Sequence, residues 1–446
     1  MKSTLAVSLT NYLDAGAIVA GASGLTLWKD YLGLTEGHLG WLNAISANCL
    51  GAAIGAIIGG FLADKYGRKA IYTYNMLIYM AGVALIMCSV SFPMLLMGFL
   101  ITGISVGVGV PASWTYISES SEVHNRGRNI GISQMAWGIG PTIILILGTL
   151  LAPPTAGAGT EGMLFPLVQG IASLMGVTES GATLNVFSSR IVFASLFIVA
   201  FIAWQLQRRL DESKEWENMK TTQGNQEKTG TFASFSSLLT NKTNVRTILF
   251  LAGIYLTWNL VSSVMGFFQQ HIYETAGGLS NEYANMLSVG QWLIIIATTF
   301  VFSMIVDKVK QRWLYCLGVS FAVAAWLLII TIGINSIAGL LTFTLLWGLQ
   351  AGISVQSFYA LWASELFPAK YRAAAQGIMF FVVRGLSAVW GLGFVHIYGE
   401  NGEGFTVAAY AMLILLIISL VVGTVGAPNT RGKTLEEITR ERYQQS

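Results

Sequence analysis

The chain has 446 residues, of which 54% are hydrophobic and only 11% charged, with a formal net charge of +3. Soluble proteins carry roughly 25% charged residues, so this chain lacks the groups to cover a water-facing surface. Soluble enzymes, nucleic-acid binders and disordered proteins are thereby excluded, and so small a charge implies no polyanionic partner.

A helix needs about 20 mainly apolar residues to cross the hydrocarbon core of a bilayer. In chain order such spans are predicted near 5–28, 38–62, 70–91, 94–117, 129–151 and 190–207. After a polar stretch they resume near 246–270, 283–306, 313–333, 337–363, 373–397 and 405–426. The expected fold is an all-α membrane protein of twelve transmembrane helices in two six-helix bundles. The first span begins at Leu5 with no charged n-region or small-residue cleavage site, so it is expected to direct insertion itself. In the second span Gly51, Gly55 and Gly59 recur every four residues, the pattern of closely packed membrane helices. Segment 152–189, between the fifth and sixth spans, is long, and its apolar patch over 163–175 reads as a lid or surface helix. Cys49, Cys88 and Cys316 lie in apolar stretches without metal spacing and read as core residues. No cofactor, metal site or catalytic constellation is expected, and no Walker A sequence of a primary pump is found.

Of the 25 Lys and Arg, 22 fall at the termini or in connections after even-numbered spans. Lys29 and Arg190 lie at the opposite ends, and Arg384 lies within a span. The positive-inside rule then puts both termini in the cytoplasm. The expectation is a multi-pass protein of the plasma (bacterial inner) membrane, functional as a monomer. The predicted divisions are an N-terminal bundle (1–207), a cytoplasmic linker (208–245), a C-terminal bundle (246–427) and a cytoplasmic tail (428–446).

The halves repeat each other. Ser118-Glu119 is followed by Arg126, and Ser364-Glu365 by Arg372, with the same spacing and an offset of 246 residues. Asp64 with Arg68 after the second span matches Asp307 with Arg312 after the eighth, offset by 243 residues. A parallel repeat of six-helix bundles marks a transporter whose site lies between the halves. Carboxylates and arginines facing each other across two bundles pair when that end closes and part when it opens. Asp64, Arg68, Glu119, Arg126, Glu365 and Arg372 are the gating candidates. The structural alternative is that they only anchor helix ends.

These motifs resemble the major facilitator superfamily and, within it, the sugar porter family. Gly60-Phe61-Leu62-Ala63-Asp64-Lys65-Tyr66-Gly67-Arg68-Lys69 is similar to the superfamily's loop between helices two and three. Asp211-Glu212-Ser213-Lys214-Glu215-Trp216 resembles a degraded Pro-Glu-Ser-Pro-Arg-Trp signature. Ser364-Glu365-Leu366-Phe367-Pro368 with Arg372 resembles the family's exit from helix ten. Pro428-Asn429-Thr430-Arg431-Gly432-Lys433-Thr434-Leu435-Glu436-Glu437-Ile438 is close to its C-terminal signature. The resemblance implies proton-coupled uptake of a small polyhydroxylated solute (a sugar, a polyol such as inositol, or a sugar acid) by alternating access. The other readings are an exporter of drugs or metabolites on the same scaffold and a transport-incompetent nutrient sensor.

Two ionisable residues lie deep inside spans, Asp14 in the first and Arg384 in the eleventh. A charge at mid-membrane costs roughly 2.5–3.5 kcal/mol, so such residues default to function. The resemblance makes Asp14, which ends Asn11-Tyr12-Leu13-Asp14, the proton-carrying group. The family's helix-four Arg, partner of that Asp, is replaced here by Phe99. Polar groups among aromatics are the pattern of a binding site. The substrate candidates are Gln134, Trp137, Trp258, Asn259, Tyr359, Trp362 and Arg384. The family's helix-seven glutamines fall near Thr257-Trp258-Asn259, and Phe267-Phe268 stands where paired tyrosines are usual. Ala360 replaces its helix-ten Trp, and Val383-Arg384 stands where a neutral Gln is usual in helix eleven. Gln269, Gln270 and His271 are placed at the outer mouth. Arg384 is expected either to pair with Asp14 or to bind an acidic substrate such as a uronate.

Overall fold

The computed structural model describes residues 2–45, 49–154, 161–177, 181–223, 238–279, 281–353, 355–399 and 402–443. In the first half lie α1 (Lys2–Leu32), α2 (Glu36–Ile45), α3 (Leu50–Tyr66), α4 (Arg68–Met87), α5 (Phe92–Ser120), α6 (Arg126–Leu150), α7 (Phe165–Leu174) and α8 (Ala182–Gln207). Next come α9 (Lys214–Gln223), α10 (Lys242–Thr275), α11 (Asn281–Ile305), α12 (Gln311–Ile332), α13 (Ile337–Ile353) and α14 (Val355–Glu365). The chain continues through α15 (Arg372–Tyr398), α16 (Phe405–Gly426) and the tail helix α17 (Leu435–Tyr443). Helices satisfy every backbone group internally, which is the requirement for crossing lipid. Among the described residues eleven helical stretches are long and apolar enough to do so. The span expected at 38–62 is described in two pieces, α2 and α3, neither of which reaches that length alone.

Small residues set the closest approaches. A Cβ on Gly55 would stand 2.0 Å from the Ile104 carbonyl oxygen, so α3 and α5 meet backbone to backbone. Between the halves, a Cβ on Gly377 would stand 2.3 Å from the Ala56 carbonyl oxygen, which presses α3 against α15.

Two expectations are corrected. The sixth span starts at Ala182, not near 190. Its early residues are polar, but Ser188 donates to the Leu151 carbonyl at 2.6 Å and Ser189 accepts from the Trp28 indole at 3.0 Å. Arg190 then lies over Phe187, Tyr31 and Trp28, at 4.8, 5.3 and 5.7 Å from their ring centres. Hydropathy counted these groups as polar, whereas packing satisfies them inside. Cys88 is exposed, because it caps the end of α4 and does not face the core. In the long connection the 163–175 patch forms the short helix α7, which buries Phe165, Val168 and Ala172.

Candidate transport site

The charged residues gather at one end. Arg68 Nη2 lies 2.9 Å from Glu119 Oε1 and 3.3 Å from Asp64 Oδ1, within the first half. Two further pairs cross between halves: Arg372–Glu119 at 2.7 Å and Arg126–Glu365 at 3.0 Å. Asp64 accepts from the amides of Ala373 and Ala374 at 3.3 and 2.7 Å. Asp307 does the same for Gly127 and Arg128 at 3.0 and 2.8 Å. Each aspartate thus caps the first turn of a helix in the opposite half, where a carboxylate meets the positive end of the helix dipole. The sequence repeat appears here as a reciprocal contact, and this end is closed.

Two further segments join the network, and sequence reasoning gave neither of them a place in the gate. Ahead of α9, Glu212 accepts from the amides of Arg68 and Lys69 at 3.0 and 3.1 Å, and Ser213 donates to Glu119 at 2.5 Å. Glu215 pairs with Arg372 at 3.0 Å, and Trp216 donates to the Asp64 carbonyl at 2.9 Å. From the tail, Lys433 offers its carbonyl to Arg126 at 3.4 Å, and Thr430 donates to Gln311 at 3.0 Å. Burial holds the carboxyls of Glu215 and Asp307 above their ordinary values; Arg372 opposes the shift at Glu215, and helix amides oppose it at Asp307.

Away from this end, a cavity of about 180 Å³ opens between the halves, with a smaller one of about 40 Å³ adjoining it. The first half contributes Val19 from α1 and Gln134 and Trp137 from α6. The second contributes Trp258 and Gln269 from α10, Gln291 and Trp292 from α11, Gln350 from α13 and Gln356 from α14. Asn259 and Arg384 line the smaller recess. Trp137 and Trp292 face each other across the halves at 5.6 Å.

Some of these groups are already partnered. Trp258 donates to Gln350 Oε1 at 3.0 Å, Asn259 accepts from Ser387 at 2.9 Å, and Gln269 and Gln291 exchange bonds at 3.0 Å. Others are not: Gln134 Nε2 and Gln350 Nε2 are buried with no hydrogen-bond partner. A buried polar atom left unpaired costs about 1–3 kcal/mol, so a wall that carries two of them fits a site awaiting polar atoms.

Asp14 is 1% exposed and sits behind this wall. Its Oδ2 accepts from the Trp137 indole at 3.2 Å, and its Oδ1 is buried without a partner. The charge of Arg384 acts on it across the site. Arg384 is itself 3% exposed, with its guanidinium 4.8 Å from the Phe380 ring centre. Phe99, standing where the resemblance implies an Arg, packs edge-on to Phe193 and closes against Gly21 of α1.

Sequence reasoning thus named five residues that line the cavities: Gln134, Trp137, Trp258, Asn259 and Arg384. Two others lie elsewhere. Trp362 is fully buried toward the charged end, where it stacks on Tyr315 and donates to Gln311 at 2.9 Å. Tyr359 stacks on Tyr255 at 4.0 Å and meets Trp114 edge-on, in the packed layer between cavity and gate. Gln291, Trp292, Gln350 and Gln356 were missed, although amides in apolar spans are costly enough to be a signal. The side chains of Phe267, Gln270 and His271 lie outside the described ones.

Residues 4–392 match the Major Facilitator Superfamily. The chain belongs to the Major Facilitator Superfamily. This superfamily member is 39% identical over 445 residues to the minor myo-inositol transporter IolF of Bacillus subtilis, covering 99% of this chain and 94% of IolF. It is 26% identical over 404 residues to the glucose transporter GlcP of Staphylococcus epidermidis, covering 89% and 87% of the two chains. Its fold matches the proton:xylose symporter XylE bound to 6-bromo-6-deoxy-D-glucose, with a TM-score of 0.74 at 19% identity over 98% of each chain. It also matches FucP in the outward conformation, with a TM-score of 0.70 at 14% identity over 97% of this chain and 100% of that one. The protein is therefore an integral, multi-pass membrane protein with the twelve-helix fold.

Proposed function

We propose that this protein is a secondary transporter that takes up a small neutral polyhydroxylated solute of the inositol or sugar class, coupled to protons. The observation that carries the reading is the amide- and indole-lined cavity between the halves, with unpartnered amide nitrogens of Gln134 and Gln350 and with Asp14 buried behind Trp137. Amides donate to and accept from hydroxyls, and indole faces cover the apolar C–H side of a cyclitol or pyranose ring. Drug-sized ligands occupy clefts of roughly 300–1,000 Å³, so the cavity of about 180 Å³ favours a small solute over a drug. The extended similarity to IolF and GlcP supports the same solute class.

In this reading the units 1–207 and 246–427 rock about the cavity, joined by 208–245, with both termini and the tail 428–446 in the cytoplasm. The membrane is the plasma (bacterial inner) membrane, and one chain suffices for transport. Asp64, Arg68, Glu119, Arg126, Glu365 and Arg372 latch the cytoplasmic end while the cavity faces outward. Asp14 takes up the proton. Arg384, brought in from the opposite half, is its counter-charge in place of the Arg missing at Phe99.

Uptake of labelled myo-inositol, a hexose and the matching uronic acid into proteoliposomes, with and without a pH gradient, tests the reading. Gradient-driven accumulation of a neutral solute is expected. Asp14→Asn should abolish accumulation while exchange of solute persists. Asp14→Asn with Arg384→Gln should behave better than either alone, because each single change strands a buried charge. Accumulation of the uronate alone, lost in Arg384→Gln, would instead make Arg384 an anion ligand.

A further inference from the structure

A groove of about 520 Å³ lies at the charged end, beside the gate, where the start of α10, the end of α16 and the tail helix α17 meet. Thr243, Arg246, Thr247, Phe250, Glu441 and Arg442 are among its walls. Arg442 Nη2 donates to Thr247 at 2.5 Å, while its Nε is buried with no hydrogen-bond partner. Arg246 is exposed, and neither arginine forms an ion pair with an acidic residue among the described residues. The only carboxylate among the named walls, Glu441, is taken up by Lys433 at 2.6 Å.

Two guanidiniums thus face one groove beside the first turns of a long helix, whose dipole also favours an anion. Burial holds Arg442 below its ordinary basicity, Tyr443 opposes that and the charge of Arg246 adds to it, so a bound anion would favour its charged form. The groove lies at the membrane-interface end of two spans, and Phe250 adds an apolar wall on the side of the bilayer core. Basic pockets between helices at that level take phosphate headgroups. A phosphate oxygen pair also matches the fork of a guanidinium.

We infer that this groove holds the phosphate of an anionic phospholipid headgroup, and that the lipid clamps the tail helix onto α10. The clamp acts on a segment already tied to the gate. Tyr443 and Arg442 bond to Asn244 and Thr247 of α10, and Lys433 at the other end of the tail offers its carbonyl to Arg126. Occupancy therefore favours closure of the charged end. The inference does not depend on which solute the cavity carries.

Native mass spectrometry of the full chain in detergent, with phosphatidylglycerol or phosphatidylcholine added, tests it. Retained phosphatidylglycerol adducts should exceed those of phosphatidylcholine and fall about fivefold in Arg246→Gln, the worth of one arginine at an anionic surface. Arg246 is exposed, so this variant should fold as wild type; Arg246→Gln with Arg442→Gln should lose the adduct altogether. Arg312→Gln, an exposed arginine at the same end, should leave it unchanged. Equal adducts in wild type and Arg246→Gln would overturn the site, as would equal loss in Arg312→Gln. Thermal stabilisation by inorganic phosphate that is lost in Arg246→Gln and matches that of the lipid would make this a site for a soluble anion and overturn the lipid assignment.

Discussion

The charged end and the central cavity both bury polar groups and treat them differently. At the charged end each arginine of the network has a carboxylate, each aspartate caps a helix, and the linker and tail add further bonds, with Glu365 Oε2 left unpartnered. In the cavity wall, amide nitrogens of Gln134 and Gln350 and an oxygen of Asp14 are buried without partners. A satisfied buried network holds one conformation and is costly to break in part. An unsatisfied one stores a demand that a ligand or a proton can meet. In the proposed cycle the two regions divide the work of alternating access into a latch and a seat.

The largest effect should come from Glu119, which pairs with Arg68 in its own half and Arg372 in the other. Breaking a buried pair costs about 3–5 kcal/mol. Glu119→Gln should therefore move most molecules to the form open at the charged end, read as longer distances between spin labels at Glu122 and Lys308. Glu365→Gln removes the single Arg126 pair and should shift the population less. Equal shifts would mean that the charges act separately and form no network.

A smaller and different effect is expected in the cavity. Gln134→Ala should weaken solute binding by about 1–3 kcal/mol, the worth of a buried hydrogen bond lost with its partner, and leave the melting temperature nearly unchanged. Trp362→Phe should do the reverse, lowering stability by removing the donor to Gln311 while leaving solute affinity alone. Isothermal titration and thermal melts on the same two variants check the contrast. If Trp362→Phe weakens binding as much as Gln134→Ala does, the boundary between seat and core has been drawn wrongly.

The smallest effect concerns pH. In the closed form burial holds Asp307 above the ordinary carboxylate value of about 4. Once it leaves α6 in the open form, the ordinary value should return. The closed form then binds the proton more tightly, so acidification through the window between the two values should favour closure. The same label distances followed against pH in wild type and Asp307→Asn read this directly. Asp307→Asn should flatten the response.

Span count, the two halves and the residues of the latch were legible in the sequence, because lipid imposes long apolar runs and a duplicated motif keeps its spacing. Asp14 and Arg384 stood out for the same reason, as charges inside such runs. The positions of the aromatics were not legible. Trp258 and Trp362 are both buried indoles near helix ten, yet one lines the cavity and the other packs on Tyr315.

By itself the sequence determined the bilayer as solvent, the twelve spans and the duplicated charge motif, since each is set by local composition or by spacing along the chain. The tertiary structure alone decided which half each gate residue pairs with, that the degraded signature before α9 and the tail fold onto the latch, and that Trp137 bonds Asp14 in place of a helix-four Arg. These contacts join residues more than 90 positions apart. They depend on how far helices rotate and how closely they approach, which small residues such as Gly55 and Gly377 permit but do not specify.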